Sequence, residues 1–146
     1  MRQHRLQQLS TLLSESELTR RDKAVEIFNQ SLVEKVVRLE DRAHQEAHAR
    51  LQQWGEYLKE LHDRNLAVAD FYHAHVQTRA MIAALVARLE MPPYELDERV
   101  TSQLETYDRI LRNFWHRGDF VWPEEWQPAY PQAGYWWLYG RPTDPA

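Results

Sequence analysis

The sequence contains no cysteine, which removes disulfides, thiolate zinc sites, iron–sulfur clusters and thiol nucleophiles together. It contains no apolar run near the 18 residues needed to cross a bilayer, so no membrane insertion is expected. No hydrophobic core region follows Met1-Arg2-Gln3-His4-Arg5, so no secretory leader is expected either. With no cysteine to protect or to pair, a cytoplasmic location is the expectation. Proline is missing from residues 1–91, and Gly55 is the single glycine of that stretch. The two strongest helix breakers being so scarce, very long helices are permitted.

A concentrated positive charge is also lacking. Formal net charge is −4, and the best basic run is Arg20-Arg21-Asp22-Lys23, which is short and interrupted. Phosphate neutralisation needs more clustered cations, so nucleic acid is not an expected partner. Serines at 10, 14, 16, 31 and 102 sit in no Gly-x-Ser-x-Gly elbow, and the four glycines are too scattered for a phosphate loop. These gaps lean against an enzyme.

What is present is helical periodicity. The 146 residues suffice for a core without staples. Leu6, Leu9, Leu12 and Leu13 suggest a short first helix. Ser14-Glu15-Ser16-Glu17 matches a capping box opening a second helix. Its apolar stripe is Leu18, Val25, Leu32 and Leu39, flanked by Phe28 and Val36. From Ala47 a four-three alternation takes over, through Leu51, Trp54, Leu58, Leu61, Asn65, Val68, Tyr72, His75, Arg79, Ile82, Val86 and Leu89. That is a heptad seam, offset by a stutter near residues 40–47.

Two organisations satisfy this seam. One helix runs from Glu15 to Met91, or a helical hairpin folds near His62–Leu66. Base rates of helix length favour a break near Asn65, a residue that tolerates a helix-ending conformation. Pro92-Pro93 then ends the following helix. A last helix starts with Glu95, Asp97 and Glu98 in its first turn, buries a face from Leu96 to Phe114, and closes at Gly118.

The expected fold is all-α, an elongated helical bundle or coiled-coil-like hairpin occupying residues 1–118. A non-helical, Trp/Pro-rich tail follows over 119–146. The second helix would be about 48 residues and about 70 Å long, twice its successors, at ~1.5 Å per residue. A single chain cannot cover all of its stripe, so a homo-oligomer is expected, with Leu51, Trp54, Leu58 and Leu61 pairing helices.

The tail carries Trp122, Trp126, Tyr130, Tyr135, Trp136, Trp137 and Tyr139. Disordered tails are poor in aromatics, so this one docks, either on its own helices or on a protein partner. The functional expectation is a non-catalytic interaction protein: an assembly factor, adaptor or accessory subunit without a cofactor.

The alternative is a helical metal- or cofactor-binding enzyme. Asp41-x-x-His44 and Asp70-x-x-His73 share a helical spacing, and His44 and His48 stand one turn apart. Together His44, His48, Asp70 and His73 form a candidate ligand set. Di-iron four-helix bundles use Glu-x-x-His on two helices with further glutamates from the others. Here the acid is the shorter Asp, and only Glu34 and Glu105 are candidates for the remainder. In the seam, Asn65, His75 and Arg79 are either buried specificity residues or solvent-facing.

Overall fold

The computed structural model describes residues 15–63 and 69–143, with side chains from residue 19 onward. The short helix expected over Leu6–Leu13, the cap at Ser14 and the hinge residue Asn65 lie outside the described residues. The chain divides into two compact units, residues 1–39 and 40–146.

The fold is mostly helical. Helix α1 spans Glu15–His62, 48 residues, the length expected from the capping box and the Asn65 break. Helix α2 spans Tyr72–Leu89, and α3 spans Glu98–Arg112. A single helix from Glu15 to Met91 is therefore not formed. Pro92 and Pro93 follow the end of α2, joined by a cis peptide bond. Asp97 caps α3: its carboxylate accepts from the backbone N–H of Arg99 at 3.0 Å. This satisfies one of the orphan donors of the first turn.

The all-α expectation holds in its coarse form, with an addition in the tail. Helix α3 stops at Arg112 instead of continuing to Gly118, and the chain enters strand β1, Trp115–Phe120. This strand pairs antiparallel with β2, Tyr139–Pro142, in the register Trp115↔Pro142, His116↔Arg141 and Arg117↔Gly140. The expected boundary at 118/119 falls inside β1. Between the strands, Glu124–Ala129 and Trp136–Leu138 form short 3-10 helices, so the tail is neither extended nor wholly non-helical.

Gly140 makes the sheet possible. Its φ is +146°, and a β-carbon there would lie 2.1 Å from the carbonyl oxygen of His116. Only a residue without a side chain lets the strands approach this closely.

The core of the second unit draws on its three helices and the end of the tail. Ala47, Leu51, Trp54 and Leu58 of α1 meet Tyr72, Val76 and Ile82 of α2, Val100 and Leu111 of α3, and Trp137 and Leu138 of the tail. Contacts from His44 to Asp97 and from Gly55 to Tyr107 follow the same order along both helices, so this part of α1 and α3 run parallel.

Candidate functional site

Three groups of residues carried functional expectations, and the structure places each of them.

The aromatic tail is folded onto its own chain. Trp137 is 1% exposed and Tyr139 is 9% exposed. Tyr72 donates its phenolic hydrogen to the carbonyl oxygen of Trp137. Burial is the largest cause that raises the Tyr72 phenol well above its usual range, so it remains a donor. Arg79 grips both carboxylate oxygens of Asp108 at 3.0 Å and stacks its guanidinium 4.6 Å from the Trp137 ring centre. Arg112 stacks on Trp136 at 4.3 Å. Trp122 donates its indole N–H to the carbonyl of His73 at 3.0 Å, and Tyr139 donates to the carbonyl of Tyr130 at 2.7 Å.

These contacts seat the tail on its own helices, one of the two surfaces expected for it. Trp137 and Tyr139 are core residues, and Trp122, Tyr130, Tyr135 and Trp136 are half-buried in an edge-to-face array. Trp126 remains outside, 49% exposed, with its ring 5.8 Å from that of Trp122. The sequence signal was sound, because aromatics of this density do dock. Which surface received them depended on Tyr72, Arg79 and Asp108, far away along the chain.

The helix-pairing residues are likewise covered within the chain. Leu51 and Trp54 are 0% exposed, Leu58 is 1% and Leu61 is 6%. In this conformation they have no free face for a second copy. The large apolar residues left exposed on α1 lie elsewhere: Ile27, Phe28, Leu32, Val33 and Val37 are each 48–61% exposed. Phe28 and Leu32 belong to the stripe read from periodicity. Ile27, Val33 and Val37 fall outside it.

The candidate metal ligands do not converge. Among the described residues no three His, Asp or Glu side chains are placed to hold an ion. His44 has both ring nitrogens engaged, Nδ1 with the carbonyl of Glu40 at 3.0 Å and Nε2 accepting from the N–H of Asp97 at 3.0 Å. It acts as a tie between α1 and the start of α3. His48, Asp70 and His73 are exposed.

Of the polar seam residues, Arg79 is buried and ion-paired, and His75 is exposed with its ring stacked on Tyr57 at 4.2 Å. Burial, with the Glu60 charge adding to it, raises the Tyr57 phenol far above its usual value. An open groove of about 320 Å³ lies between α1 and α3, floored by Leu58, Ile110 and Phe114 with Lys59 and His62 at its rim. It carries no nucleophile paired with a base. Lys59 and His62 fall in the last turn of α1, where cations complement the helix dipole.

No protein-family model, curated protein or solved structure matches the chain. No helix among the described residues is long and apolar enough to cross a membrane.

Proposed function

We propose that the protein is a non-catalytic interaction protein, an assembly factor, adaptor or accessory subunit of a larger complex, that self-associates through α1. The observation that carries this is the exposure of Ile27, Phe28, Leu32, Val33 and Val37, each about half exposed or more. Large apolar side chains left exposed close together on one helix mark an interaction surface. The pairing residues move accordingly, from Leu51–Leu61 to Phe28 and Leu32.

The second unit acts as a packed helical bundle in this scheme. Residues Ala47–Leu61, α2 and α3 enclose one core, and the tail closes over it. Trp126, exposed beside Glu124 and Glu125, offers a smaller contact for a protein partner.

Light scattering coupled to size exclusion tests the proposal. The full chain is expected to run above its 17.5 kDa monomer mass, and Leu32→Asp to return it to monomer. A monomeric full chain at every concentration up to about 200 µM would sink it, because such a concentration detects any Kd in the range of weak specific association.

A further inference from the structure

We infer that the surface around Trp126 seats an arginine- or lysine-bearing segment of a partner protein, with the cation over the Trp126 ring and against the carboxylates of Glu124 and Glu125. The inference rests on the reading of the chain as an interaction protein and names the chemistry of the partner at the tail.

The tail already receives cations on its tryptophans. Arg79 stacks on Trp137 and Arg112 on Trp136, while Trp122 is tied by its indole N–H to the carbonyl of His73. Trp126 is the remaining tryptophan of the tail. It is 49% exposed and has no cation over its ring among the described residues. Its position is nevertheless held. Its ring meets that of Trp122 at 73°, and Trp122 meets Tyr130 at 5.1 Å and 79°. The backbone N–H of Trp126 donates to the carbonyl of Pro123 at 2.9 Å, and Pro123 and Pro128 restrict the chain on either side. An exposed indole held in this way loses little freedom when a ligand covers it.

Charge selects a cationic occupant. From Gly118 to Gly140 the chain carries Asp119, Glu124 and Glu125 and no Lys, Arg or His. Glu124 and Glu125 directly precede Trp126, are exposed, and enter no ion pair among the described residues. The nearest basic residues before this stretch are engaged elsewhere, Arg112 on Trp136 and Arg117 against the side-chain amide of Gln132. A guanidinium or ammonium group is drawn both to the negative face of the indole and to the unpaired carboxylates, whereas an anionic segment is repelled. The ring stands on an open surface, where a long side chain projecting from a polypeptide reaches it.

Fluorescence anisotropy of a labelled, end-blocked peptide, Gly-Arg-Gly-Arg-Gly-Arg-Gly, titrated with the full chain at low salt, tests the seat. Saturable binding is expected below about 1 mM, and none for the same peptide with glutamate in place of arginine. Trp126→Ala is expected to weaken binding about two- to fivefold, the worth of an exposed cation–π contact. Glu124→Gln/Glu125→Gln should weaken it at least as much. Glu90→Gln/Glu105→Gln, an equal change of charge at exposed, unpaired positions outside the tail, should leave it unchanged. Absence of saturable binding overturns the inference, as does full binding by Trp126→Ala. Equal losses from the two glutamate pairs overturn it too, by showing attraction to bulk charge. Self-association is read separately by light scattering. A monomer that binds the peptide through Trp126 removes the α1 assembly and leaves the seat standing; an oligomer that ignores the peptide does the reverse.

Discussion

Arg79 and Asp108, 29 positions apart on α2 and α3, form a two-point ion pair with both N–O distances at 3.0 Å. The Arg79 side chain is 8% exposed, and the remaining face of its guanidinium lies against Trp137. One arginine thereby joins two helices and the tail. Its Nη1 is buried with no protein acceptor among the described residues, so all of its pairing depends on Asp108.

Removing Asp108 therefore strands a buried cation. Asp108→Ala is expected to destabilise the protein by about 3–5 kcal/mol in denaturant unfolding. The double replacement Arg79→Met/Asp108→Leu should recover most of that loss, because apolar pairs of similar volume substitute well for buried ion pairs. A loss below about 1 kcal/mol for Asp108→Ala would show that solvent reaches Arg79, since that is the scale of exposed pairs.

The tail residues separate into structural and surface classes. Trp137→Ala is expected to cost about 3–5 kcal/mol, the usual cost of emptying an aromatic core site. It should also make the segment after Gly118 sensitive to protease. Trp126→Ala should stay within about 0.5 kcal/mol, as for other surface positions. Equal effects of the two substitutions would contradict a tail anchored through Trp137.

Gly55 sits under the ring of Tyr107, where a β-carbon would come within 2.4 Å of the phenolic oxygen and 2.7 Å of its ring carbon. Gly55→Ala is expected to destabilise by about 1–3 kcal/mol despite alanine's higher helix propensity. In a Tyr107→Ala background the same change should become neutral or stabilising by up to about 1 kcal/mol. The sign reversal, measured by thermal or chemical unfolding, isolates the clash from the propensity.

Stability should fall at both ends of the pH scale, for different reasons. Hydrogen bonds from the Arg99 side chain and backbone hold Asp97 at about 2, below its ordinary value of 3.8. The stabilisation this brings is complete above pH 4 and is lost as pH falls through 4 toward 2. Tyr57 and Tyr72 are raised by burial, so above pH 10 the unfolded chain releases protons that the folded one keeps. Unfolding is then favoured as pH rises. Tyr72→Phe should shallow the alkaline limb, and Asp97→Asn the acid limb. Limbs unchanged by these variants would assign the pH dependence to other groups.

Much of the helical architecture is written locally. Helix α1 ends at His62, close to where a break was expected. The acidic cluster located the start of α3 only roughly: of the three residues expected in its first turn, Glu98 lies there, Asp97 is the cap and Glu95 precedes the helix. The seam positions Ala47, Leu51, Trp54, Leu58 and Leu61 are all buried, because a period near 3.5 residues places them on one face. What those faces meet was not readable. The same apolar residues serve an intermolecular seam or an intramolecular core, and periodicity is identical in both.

The sequence by itself determined the helices, their approximate ends, the absence of thiol chemistry and the certainty that so many aromatics would be packed somewhere. Each of these follows from neighbours within a few residues, or from composition. Tertiary structure alone decided that the chain after Arg112 becomes a strand, since β1 exists through its hydrogen bonds to Tyr139–Pro142. It decided equally that Trp137 sits beneath Arg79 and that His44 ties α1 to α3. These contacts join residues tens of positions apart, whose pairing depends on which surfaces remain uncovered once the helices have packed.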